Sequence, residues 1–217
     1  MRELYRLLMV IFVPLFWGCS FASAHPHVFI TARLKINIDS DGKLVSTVQD
    51  WDFDPVFSAG VLVDFAKTNK RQLTEKEKQK LTHTIFTSMA DYDYFQVLKC
   101  DGQSLEMVAP NIFTLQLKKI LSVHLENKPK QPLKLEPKHQ YVFYVADPTF
   151  YVDVSIKSDS DVVVSGLPSY CHYRVYRPDP DKVLTQDLSS LSEDFFADPK
   201  NGSYLSSQLA TRIEFSC

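Results

Sequence analysis

Ala22-Ser23-Ala24-His25-Pro26-His27 sets two imidazoles directly behind a small-residue processing site. Cleavage after Ala24 leaves His25 with a free α-amine, whose reference pKa is about 7.7–8.0, beside an imidazole able to close a chelate ring with it. Amine and imidazole nitrogens are borderline ligands suited to Zn, Ni, Co or Cu. His27 follows two residues later, and on an extended chain positions i and i+2 share a side. Pro26 has no amide N–H, which excludes a square-planar copper or nickel site built from successive deprotonated amides. Three nitrogens leave the ion short of ligands, and a carboxylate or water should complete the shell. Protons compete for the same nitrogens, so capture should weaken on acidification.

The elements that must present these groups follow at once. Val28–Ile38 alternates, with Val28, Ile30, Ala32, Leu34, Ile36 and Ile38 on one side, which predicts a strand with one buried face. Asp39-Ser40-Asp41-Gly42 carries turn chemistry, and Leu44–Phe53 returns as the second strand of a hairpin. A two-residue turn at Asp41-Gly42 sets His27 opposite Pro55 or Val56, so Asp54 becomes the nearest acid and a candidate third ligand. Asp50, Asp52 and Asp54 share one side of that strand, with Trp51 and Phe53 on the other. For Asp50 and Asp52 a solvated face over a core face is the better reading than a hard-cation row. His83 and His124 read as polar-face residues, His139 as turn surface, and His172 as a residue to which nothing assigns a role.

Pro55 ends the second strand, and Val56–Phe65 suits a short helix. A further helix is predicted after Thr74 as N-cap, with Glu77 as capping-box partner and Leu81, Ile85 and Met89 at helical spacing. Beyond Asp91, runs rich in Val, Ile, Phe and Tyr at 94–99, 111–117, 120–126, 140–146, 150–156, 161–165 and 171–176 predict strands separated by turns. The expected fold class is α+β, mainly antiparallel β and sandwich-like, with a helical insertion near 55–90. Residues 178–204 are polar and read as a loop with one helix near 187–196; Leu205–Cys217 suits either a helix or a closing strand.

The chain of 217 residues, 45% of them apolar, is sized for one domain with its own core. Arg2 and Arg6 precede the apolar run Leu7–Trp17, and Ala22-Ser23-Ala24 closes a secretory signal at 1–24, leaving 25–217 as a single periplasmic domain. A lipoprotein site at Cys19 is the weaker alternative, since Phe16 and Trp17 are bulky where such sites want Leu and a small residue. Losing Arg2, Arg6 and Glu3 takes the 24 basic and 26 acidic side chains to 22 and 25. Such a mixed, slightly acidic surface offers no footprint for nucleic acid. Export places Cys100, Cys171 and Cys217 where disulfides persist, with room for one bridge per molecule. No CxxC pair, nucleophile elbow or HExxH occurs, so the chain reads as a non-enzyme.

"HPHVFI" after the signal, "WDFDPVFS" at 51–58, "DYDYF" at 91–95, "DPTFYVDV" at 147–154 and a Cys171 to Cys217 bracket enclosing "YRP" together resemble a bacterial periplasmic family. It is domain-of-unknown-function family one thousand and seven, usually labelled a component of an uncharacterised transport system. The resemblance covers most of the mature chain and implies a link to nickel, cobalt or zinc transporters. It implies a Cys171–Cys217 disulfide with Cys100 unpaired, and it draws attention to Asp147, at the edge of an apolar strand, as a further candidate ligand. The alternative for Asp147 is a turn in which it accepts backbone hydrogen bonds beside Pro148. Many relatives carry an EF-hand-like calcium loop; here Ala66–Glu77 keeps Leu73 and Glu77, but Ala66, Thr68 and Lys70 stand where acids belong and Arg71 where glycine is needed. No calcium is expected there.

These readings converge on a periplasmic metal-binding accessory protein that assists an inner-membrane transporter of Zn, Ni or Co through His25 and His27. Two other classes stay open. One is a copper histidine-brace oxidative enzyme or copper carrier; the other is a metal-free β-sandwich interaction module.

Overall fold

The computed structural model describes residues 26–67, 72–183 and 199–217. Residues 1–24, read above as a secretory signal, His25, the centre of the Ala66–Glu77 stretch and the helix expected near 187–196 lie outside the described residues.

Alternating apolar residues build the first hairpin as expected. β1 (Val28–Ile38) and β2 (Lys43–Phe53) pair antiparallel from Ile30 opposite Phe53 to Ile38 opposite Leu44. The register slips between Asn37 and Ile38, and on β2 the buried side switches from Leu44 and Ser46 to Thr47, Gln49, Trp51 and Phe53. One extra residue in a two-residue period inverts the faces, so the slip lets both ends of β2 meet the core.

Two sheets stack around that core. Further strands are β3 (Gln96–Cys100), β4 (Gln103–Leu105), β5 (Ile112–Leu117), β6 (Leu121–Asn127), β7 (Leu133–Lys134) and β8 (Gln140–Val145). The last four are β9 (Val152–Ser155), β10 (Val162–Ser165), β11 (His172–Tyr176) and β12 (Arg212–Ser216). One sheet runs β10-β1-β2-β6-β5, with β9 also on β1 and β7 also on β2; the other runs β11-β12-β8-β3-β4. Most pairings are antiparallel, but β9 and β10 run parallel to β1, at Val28–Thr31 and Leu34–Asn37 respectively. Trp51, Leu121, Leu125, Phe143 and Ile213 fill the space between the sheets.

The helical insertion forms between β2 and β3. α1 (Pro55–Phe65) starts at Asp54 and α2 (Glu75–Ala90) at Thr74. The capping box at Thr74 is present, and Glu77 adds a contact, since its second carboxylate oxygen accepts the Lys67 N–H at 2.7 Å. Glu77 therefore pins both ends of the degenerate loop to α2. On α2 Leu81 and Met89 are buried, while Phe86 packs edge-on against Phe113 of β5 with ring centroids 5.3 Å apart. The strand expected from residue 94 begins at Gln96, because Asp93, Tyr94 and Phe95 adopt left-handed backbone in a tight turn after α2.

The carboxy-terminal segment supplies both alternatives: α3 (Pro180–Val183) is short, α4 (Pro199–Leu209) is longer, and β12 then closes the second sheet between β11 and β8. Cys171 and Cys217 are bridged across 46 residues, and Cys100 is a free thiol. No helix among the described residues is long and apolar enough to cross a membrane.

Candidate functional site

The amino-terminal end of β1 is held by the turn before β9. Tyr151 O accepts both the His27 N–H at 2.9 Å and the Val28 N–H at 3.1 Å, and the His27 and Tyr151 rings lie with centroids 5.0 Å apart. His27 is exposed and precedes β1, in which Val28 is buried while Phe29 and Thr31 lie on the outer side of the sheet.

Asp54 and Asp147, the two candidate carboxylates, both reach this end of β1, and both are engaged by backbone. Asp54 Oδ1 accepts the Val56 and Phe57 N–H groups at 2.9 Å, which caps α1, and Oδ2 accepts the Phe29 N–H at 3.1 Å. Partial burial pushes the Asp54 carboxyl up, but the N–H groups of Phe57, Phe29 and Val56 outweigh it and hold the group below the ordinary aspartate value. Asp147 is only 3% exposed. Its Oδ1 accepts from the N–H and hydroxyl of Thr149, both at 2.8 Å, and its Oδ2 from the Val152 N–H at 2.9 Å. That is the turn-forming alternative: Asp147 shapes the 147–152 loop from which Tyr151 reaches His27.

A third acid shares the outer face. β9 pairs with β1 so that Asp153 lies opposite Phe29, two residues along the chain from His27. Asp153 is exposed, and partial desolvation by the protein packed around it pushes its carboxyl above the ordinary aspartate value. A pocket of about 320 Å³ opens here, lined by Pro26, Phe29, Asp147 and Asp153 with Leu209 at the end of α4 and Ala210 just beyond it. On the other side of β1 a largely apolar cleft of about 500 Å³ runs between the sheet and α2, past Trp51, Phe57, Met89 and Phe95. Asp147 and Val152 line both.

The polar face of the first sheet is a ladder of pairs. Asp52 joins Arg33 at 2.9 Å and Ser122 at 2.7 Å, and Asp50 meets His124 Nδ1 at 2.7 Å. The solvated face expected for Asp50 and Asp52 is thus cross-strand paired. On the second sheet, His139 Nδ1 lies 2.6 Å from Asp101 Oδ2 beside the Cys100 thiol. Burial first, and then the charge of Asp101, push that thiol up.

Sequence alone singles out neither Asp153 nor Asp101 and reads His139 as turn surface. Asp153 lies inside the quoted "DPTFYVDV", but its placement depends on a parallel pairing between strands over a hundred residues apart. The adjacency of Cys100, Asp101 and His139 needs the β3–β8 register, in which Cys100 faces Tyr141.

Comparison with known proteins finds a bacterial relative and a matching family model. The chain is 29% identical over 177 residues to an uncharacterized protein of Haemophilus influenzae, covering 78% of this chain and 81% of that one. The family model described as Protein of unknown function (DUF1007) matches residues 10–217, and the chain belongs to that family.

Proposed function

We propose that the chain is a periplasmic metal-binding accessory protein that presents Zn, Ni or Co as cargo to an inner-membrane transporter, through a mature amino terminus starting at His25. The observation that carries this reading is the fixed, exposed start of β1. Tyr151 locks the backbone at His27 and Val28, while the His27 side chain is exposed beside the Tyr151 ring. A leading residue attached to that anchor is restricted in reach, which lowers the entropy lost when its nitrogens close on an ion.

The residues present suit a divalent borderline ion. Imidazole and amine nitrogens are supplied by His25 and His27, and Asp153, opposite Phe29 in register, is the acid we assign to complete the shell. Asp54 and Asp147 act on the backbone, one fixing α1 against β1 and the other fixing the loop that holds His27.

The test is calorimetric titration of the exported protein with Zn, Ni, Co and Cu, after intact-mass measurement of its first residue. The double variant His25→Ala, His27→Ala should lose at least tenfold in affinity. Undiminished affinity in that variant, or a mature chain that does not start at His25, overturns the proposal. The apolar cleft beside α2 favours a second reading, a metal-free interaction module. That reading predicts that the double variant still captures the transporter in a pull-down.

A further inference from the structure

We propose a second metal site, formed by Cys100, Asp101 and His139 at the far end of the β3–β8 pair, which takes a divalent borderline ion such as zinc. Sulfur, oxygen and nitrogen donors from the three side chains all lie within 4.8 Å of one another. Ligand atoms around a tetrahedral ion with bonds of roughly 2.0–2.3 Å stand about 3.5 Å apart, so small rotations bring the three donors onto one centre. It is the only such His, Cys, Asp and Glu grouping among the described residues.

The framework around the donors is fixed from three sides. Asp101 Oδ1 accepts the Gln140 N–H at 2.9 Å, which aims Oδ2 at His139 Nδ1, 2.6 Å away. The Asp101 N–H donates to Gln140 O at 2.8 Å, and Cys100 pairs in register with Tyr141. The carbonyl of His139 accepts the Cys217 N–H at 3.1 Å, so the disulfide at Cys171 anchors the histidine's backbone. The imidazole and carboxylate are partly open to solvent, leaving an entry path and a fourth position for water.

The chemistry balances simply. Cys100 gives up its thiol proton to solvent when the metal–sulfur bond forms, and thiolate plus carboxylate neutralise the dication. Thiolate with imidazole selects zinc or cobalt over calcium or magnesium. The site lies on the second sheet, away from the β1–β9 edge, and is independent of the amino-terminal proposal.

Cobalt titration of the exported protein under oxygen-free conditions without added reductant, after a thiol assay showing Cys100 reduced, reads the site directly, because a cysteinate–cobalt bond gives a sulfur-to-metal charge-transfer band. The band should appear with one equivalent at this site and vanish in Cys100→Ser. It should need at least tenfold more cobalt in His139→Gln and in Asp101→Asn. It should persist unchanged in the His25→Ala, His27→Ala variant, which separates this site from the amino-terminal one. Circular dichroism and an intact Cys171–Cys217 bridge confirm that each variant is folded. Absence of the band in the wild-type chain, or a band indifferent to both His139→Gln and Asp101→Asn, overturns the proposal.

Discussion

Asp54 Oδ2 accepts the backbone N–H of Phe29 at 3.1 Å, so the carboxylate that starts α1 also ties that helix to the strand carrying His27. Removing it by Asp54→Ala should cost about 1 kcal/mol, or roughly 2–4 °C in Tm, the ordinary loss for an N-cap in a chain of this size. Chemical unfolding checks the first figure and calorimetry the second.

The same carboxylate predicts a pH dependence. Its pKa is lowered in the folded state, so its contribution is fully present above the unfolded value of about 3.9 and is lost as pH falls through the lower folded value. Asp54→Asn keeps the capping oxygen and removes the charge. The stability gap between wild type and Asp54→Asn should therefore close in strong acid, as read by urea unfolding across pH.

Asp153 has the opposite sign. Its pKa is raised, so ionising it costs stability as pH climbs from the unfolded value toward the folded one. In metal-free protein at neutral pH, Asp153→Asn should be at least as stable as wild type, while its affinity for zinc falls. A Tm measured with chelator, next to a zinc titration, reports both.

Gly166 follows β10 with φ +77°, and a Cβ there would sit 1.9 Å from the carbonyl oxygen of Ile38. Gly102 has a similar φ of +82° but open space around it. Gly166→Ala should cost about 2–3 kcal/mol or more, and Gly102→Ala about 1 kcal/mol, since only the first adds a backbone clash to the left-handed strain. Paired unfolding curves test the contrast.

The Cys171–Cys217 bridge closes a loop of 46 residues and joins the end of β12 to the start of β11. Replacing both by Ser should lower stability by about 4 kcal/mol on loop-entropy grounds. Equal urea midpoints for the bridged and Ser forms would contradict this.

Local physics was readable from the sequence. Alternation gave both strands of the first hairpin, Thr74 and Glu77 gave the start of α2 through reciprocal hydrogen bonds, and valine-rich and aromatic runs placed most later strands within a few residues. These are interactions between neighbours along the chain, or a period of two enforced by one buried face. The ligand chemistry of His-Pro-His was equally local.

What tertiary structure alone decided were the partners across distance. That Asp54 and Asp147 are spent on backbone N–H groups, and that Asp153 lands opposite Phe29, depends on the packing of α1 and on the parallel pairing of β9 with β1. Cys100 and His139 meet because β3 lies beside β8, a juxtaposition set by packing two sheets over Trp51 and Phe143. Sequence fixes which atoms can bind or cap; the burial of apolar faces, summed over the whole core, fixes which of them stand together.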